Sequence, residues 1–176
     1  IIARAQDLWP QQICHMLFMA NHFHMILRVS NPDTVSSFIG YIKGQSATAI
    51  NNLLGVDKQT IWSEGFDSPI ILDSEKAVEK IIYIYLNPAK ARLVNSIEQY
   101  PGISTWDAFT KAKTIKKIRW LRPSTITKLQ SLELTHTQQI AYLNKLQKSN
   151  STILKLQILP NAWTSSFKEL NDKPIE

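Results

Sequence analysis

The sequence predicts an α+β protein, and three observations carry that expectation. Residues 11–29 hold two apolar runs, QQICHMLFM and HFHMILRV, split by Ala20-Asn21 in the pattern of a hairpin. Two stretches beginning near Thr34 and Asp73 repeat apolar residues at helical spacing. Residues 152–159, TILKLQIL, alternate apolar and polar side chains as a half-buried strand does. With 176 residues, 44% of them hydrophobic, the chain suits one packed domain, or one with an appendage.

Taken in order, residues 2–9 read as the end of a helix stopped before Pro10. The hairpin follows, with its turn near Ala20-Asn21. Asn31-Pro32-Asp33 forms a loop and helix start, with Asn31 or Asp33 available as cap. Val35, Phe38, Ile39, Ile42, Ala49, Ile50, Leu53 and Leu54 define the next helix, and Gly55 ends it. Gly40 and Gly44 inside it weaken it and suggest a close approach by another backbone or a ligand. Residues 57–72 read as a loop anchored by Trp62 and Phe66. Ser74 is then expected to cap a helix whose apolar side is Ala77, Val78, Ile81, Ile82, Tyr85 and Leu86, with Pro88 kinking or interrupting it near Asn87. A short turn through Ala89–Leu93 and a Tyr100-Pro101-Gly102 turn follow. Beyond residue 110 a basic stretch leads to a polar helix at about 135–149 and then to the alternating strand. This divides the chain into a catalytic portion at 1–109 and a basic C-terminal extension at 110–176.

Several classes are excluded. No run of about 18 apolar residues exists to cross a membrane. The lone Cys14 leaves no internal disulfide; it suits a reducing cytoplasm and reads as a small core residue. The chain opens on Ile1 with no initiator methionine and no signal-peptide pattern, so elements of a parent domain are expected before it. The net charge of +6 favours a polyanionic partner. Between Asp107 and Glu133 no acid occurs, while Lys111, Lys113, Lys116, Lys117, Arg119, Arg122 and Lys128 all do. Trp106, Phe109 and Trp120 flank or interrupt that run, a mixture that suits single-stranded nucleic acid or, as the plainer alternative, a solvated linker.

Two motifs carry chemistry. His22-Phe23-His24 on a strand turns two imidazoles to one face, where they can share a divalent ion; two exposed strand histidines are the plainer reading. Tyr83 and Asn87, four apart on a helix, share a face, with Tyr85 pointing roughly the other way. Alone, that pair reads as an amphipathic tyrosine and a local cap. His15, on the partner strand, reads as packing or hydrogen-bonding only, His136 as a surface residue at a helix start, and the acids Glu64, Asp67 and Asp73 show no metal-ligand spacing. No phosphate loop, serine-hydrolase elbow or zinc-finger pairing is present.

Together, MANHFHMILRV and YIYLNPAKARLV resemble the REP-associated tyrosine transposases, members of the single-tyrosine HUH superfamily. Met19-Ala20-Asn21-His22-Phe23-His24 matches the first signature with Ala20 in place of proline, and Tyr83-Ile84-Tyr85-Leu86-Asn87-Pro88 matches the second. TIWSEGFDSPIILD resembles the family's linking segment, so the likeness covers roughly residues 11–109. It implies a ferredoxin-like or RRM-like antiparallel sheet backed by helices, lacking its first strand here, with an exposed sheet edge open to a partner strand. It further implies Tyr83 as nucleophile, His22, His24 and Asn87 as ligands of Mg or Mn, and a 5′-phosphotyrosine intermediate in cleaving and rejoining single-stranded DNA near hairpins. Arg28, Lys43 and the run from Lys111 to Arg122 would then contact phosphate, and a homodimer is one assembly open to the chain. The competing readings are an inactive or domesticated nucleic-acid-binding module of the same fold and a metal-dependent hydrolase in which Tyr83 is structural.

Overall fold

The computed structural model describes residues 1–120, 134–149 and 152–167. Among these are five α-helices and two antiparallel strand pairs, the first of them a hairpin. In chain order they are α1 (Ile2–Leu8), β1 (Gln12–Phe18), β2 (Phe23–Arg28), α2 (Val35–Leu54), α3 (Ser74–Lys90), α4 (Trp106–Thr110), β3 (Ile115–Trp120), α5 (His136–Ser149) and β4 (Thr152–Gln157). The α+β class holds. The single sheet implied by the resemblance is instead divided between β1–β2 and β3–β4, joined by one parallel bridge from Ile13 to Ile158.

The β1–β2 hairpin is the plate on which the molecule is built. Its register pairs Phe18 with Phe23 and Leu17 with His24 but shifts between Ile13 and His15, leaving Cys14 as an extra residue in a bulge. Strict alternation would set Ile13 on the same face as Leu17. The bulge turns Ile13 to the face packed by α1 and α2, with Met16, Phe38 and Ile42. Cys14, Leu17 and Ile26 pack on the other face against Ile81, Ile84 and Tyr85 of α3. The outer edge of β1 is covered by bonds from Phe18 N–H to the Ile103 carbonyl (2.9 Å), Thr105 N–H to Met16 (3.0 Å) and Leu159 N–H to Ile13 (2.8 Å).

Local chemistry sets the helix ends. Asn31 Oδ1 accepts the Asp33 N–H (3.0 Å) before α2, and Gly55, at φ 64°, closes that helix in the left-handed conformation an L side chain resists. The cap of α3 is Asp73 rather than the expected Ser74, its Oδ1 accepting the Lys76 N–H at 2.6 Å. Pro88 does not interrupt α3, which runs on to Lys90. In the last turn the missing N–H leaves only the Ile84 carbonyl without its helical donor. Two bonds then seal the end, Arg92 N–H to Ala89 (2.9 Å) and Leu93 N–H to Pro88 (3.0 Å), with Arg92 left-handed at φ 56°. Gly40 and Gly44 meet no neighbour within 4 Å of an added Cβ, so the close approach expected there is absent.

The basic stretch contains a strand that the sequence did not announce. Ile115–Trp120 pairs with Thr152–Gln157, setting Lys117 opposite Lys155. Leu154, Leu156 and Ile158 enter the same core as Ala3, Ala5 and Phe38, so the extension packs on the hairpin's helices.

Candidate active site

His24 stands at the end of β2 nearest the hairpin turn and Tyr83 two turns from the end of α3. The two elements are held in register by burial on the far side of the helix. Ile81, Ile84 and Tyr85 bury against β1, which leaves the opposite side of α3, bearing Tyr83 and Asn87, facing the histidine strand. The result joins both motifs. The His24 and Tyr83 rings meet edge-to-face with centroids 5.4 Å apart, and Asn87 Nδ2 lies 3.0 Å from His24 Nε2. His22 and His24 are themselves edge-to-face at 4.9 Å. Tyr83 is 44% exposed, so a macromolecular substrate can reach its hydroxyl.

The protonation pattern suits ligand chemistry. His22 Nδ1 lies 2.7 Å from Asn21 Oδ1, which can only accept, so Nδ1 donates in that bond and Nε2 is the nitrogen turned away from it. Burial, then the His22 and Lys80 charges, holds His24 below the usual histidine range and hence neutral at pH 7. As drawn, the Asn87 amide donates to His24 Nε2; a half-turn of that amide presents Oδ1 in its place. Two imidazoles and one amide oxygen fit a divalent ion of borderline softness. Among the described residues no group of three or more His, Cys, Asp or Glu is gathered as a metal cluster.

Residues 1–86 match the family model described as Transposase IS200 like. The match runs from the first residue through β1, β2 and α2 into α3, and so takes in both histidines and Tyr83. Over those residues the chain is similar to IS200-like transposases. No curated protein and no solved structure matches it. Among the described residues, no helix of this transposase-like chain is long and apolar enough to cross a membrane.

The remaining residues named from sequence are dispersed. Arg28 is exposed and donates to Gln12 Oε1 at 3.0 Å. Lys43 Nζ donates to the carbonyls of Ser63 (2.6 Å) and Gly65, pinning the loop after α2. Lys111 pairs with Asp107 at 2.8 Å, whereas Lys113 is exposed, as are Lys116, Lys117 and Arg119 around and along β3. Arg122 lies outside the described residues. The aromatics of the basic run are engaged internally: Trp106 and Phe109 pack on Tyr85, and Trp120 lies under the Arg4 guanidinium.

A second cluster forms around His15, which packs and hydrogen-bonds on the partner strand as expected. His15 is fully buried, with Nδ1 2.8 Å from the Tyr85 hydroxyl, which in turn lies 2.9 Å from Thr105 Oγ1. Burial pushes His15 down to about 4 and Tyr85 up to about 12, so both stay neutral. The cue was the second tyrosine of Tyr83-Ile84-Tyr85: two residues on, it must point away from the first. Tyr85 anchors α3 while Tyr83 faces the histidines.

Proposed function

We propose that this transposase-like chain cuts and rejoins single-stranded DNA with Tyr83 as nucleophile. The observation that carries the reading is the convergence of Tyr83 and Asn87 on His24, two motifs some sixty residues apart brought within ring contact. A nucleophile beside a polar, partly exposed imidazole pair is the arrangement a phosphoryl transfer needs. A divalent Mg or Mn ion held by His22, His24 and Asn87 would polarise the scissile phosphate and stabilise the leaving oxygen.

The chain's own part is orientation and covalent attack. As the Tyr83 Oη–P bond forms, the phenol gives up its proton. As the P–O3′ bond breaks, the 3′ oxygen takes one up, leaving a 5′-phosphotyrosine and a free 3′-OH. One phosphodiester replaces another, so a 3′-OH can reverse the step and join strands. Asn87 orients the His24 ring and Asn21 the His22 ring through their hydrogen bonds. The test is to incubate the chain with a single-stranded hairpin DNA and manganese. A denaturation-resistant DNA–protein adduct that disappears in Tyr83→Phe is expected. Cleavage that persists in Tyr83→Phe would point to hydrolysis, and binding without cleavage under any metal would leave a binding module.

A further inference from the structure

The nucleophile's helix face carries charge that nothing in the described fold neutralises. Of the three lysines on α3, Lys76 pairs with Glu79 at 2.8 Å. Lys80 and Lys90 are exposed and have no acidic partner among the described residues. From Lys80 to Ile97 the sequence contains no Asp or Glu at all. At 100° per residue, positions 80, 83, 87 and 90 fall on one stripe, so both ammonium groups share the face of Tyr83 and Asn87.

The two lysines bracket Tyr83 along that stripe. Lys90 Nζ sits over the Tyr83 ring, 5.3 Å from its centroid. Lys80 lies one turn before Tyr83 on the same stripe of α3. Lys90 suits the last turn of α3 and the Tyr83 ring, but neither ammonium has an acidic partner among the described residues, so both are available to an anion. Their compensation is a polyanion. Their ten-residue separation spans about 15 Å along the axis, room for several backbone phosphates. Lysine, a flexible point charge, suits sequence-independent phosphate contact.

We propose that Lys80 and Lys90 form a phosphate clamp that lays a single strand of DNA along α3, one lysine on each side of the phosphate presented to Tyr83. This rests on the reading of the site as one that cuts single-stranded DNA. The clamp positions the substrate and does not itself react.

The test uses the full chain carrying Tyr83→Phe, without divalent metal, and a fluorescent single-stranded oligonucleotide titrated by anisotropy at 50–200 mM NaCl. Each lost phosphate contact removes about 0.7 from the slope of log affinity against log salt. Lys80→Gln with Lys90→Gln is therefore expected to flatten the slope by about 1.4 and to weaken binding by about tenfold or more at 100 mM. Lys76→Gln is expected to leave both unchanged. An unaltered slope and affinity in a folded double variant would overturn the clamp. Adduct formation by the same variants with Tyr83 intact separates the two claims. Wild-type adduct yield with an unchanged slope removes the clamp and leaves the DNA-cutting reading. A flattened slope in the double variant, when the chain with both lysines and Tyr83 intact also forms no adduct, keeps the clamp as a DNA contact and removes the chemistry.

Discussion

At the residue scale, Tyr83 and Tyr85 show how one helix turn divides labour. Tyr83 is half exposed against His24, while Tyr85 is buried against His15 and Thr105. His15 has a consequence for stability. Its folded value, about 4, lies below the ordinary 6.5, so the unfolded chain binds more protons between those values. The contribution is present above pH 6.5 and is lost as pH falls towards 4, up to roughly 3 kcal/mol. Urea denaturation at pH 7 and pH 4.5 should show that loss in the wild type, and His15→Gln should show a smaller pH dependence. The two motifs were legible because period-two and period-3.6 geometry fix which side chains share a face. The full burial of His15 was not, because it depends on the Cys14 bulge, which no local pattern announces.

At the element scale, α3 is fixed by its Asp73 cap and α2 by the left-handed Gly55 at its end. Gly40 and Gly44 sit in the interior of α2 with open space around them, so each lowers helix stability without a packing return. Gly40→Ala and Gly44→Ala should each raise stability by about 0.5–1 kcal/mol in thermal denaturation. Asp73→Ala should cost about 1 kcal/mol by removing the bond to the Lys76 N–H, and should reduce adduct yield only through stability. The sequence located α2 and its Gly55 end well, because apolar spacing and a left-handed glycine are local signals. It misjudged Pro88, since a proline in the last helical turn forfeits one bond and two capping bonds around Arg92 complete the end. It also missed β3, whose Ile115–Trp120 run has its lysines and arginine facing solvent and becomes a strand only through pairing with the distant Thr152–Gln157.

At the scale of the whole molecule, the hairpin is held between α1 and α2 on one face and α3 on the other, and β4 closes the first of these cores. Division at residue 109 separates the site from the basic stretch, but Leu154 and Leu156 lie within the core of α1 and α2. Leu154→Ala should therefore destabilise the hairpin's core by about 2–4 kcal/mol, seen as a single cooperative transition shifted to lower denaturant. The central claim is that Tyr83, and not its buried neighbour, carries the DNA. It is tested most directly by trapping the adduct on single-stranded hairpin DNA, digesting the DNA with nuclease and the protein with trypsin, and sequencing the peptide at residues 81–90 by mass spectrometry. That peptide holds both tyrosines. The account predicts the nucleotide phosphate on Tyr83; a phosphate on Tyr85, or no modified peptide while cleavage proceeds, would contradict it.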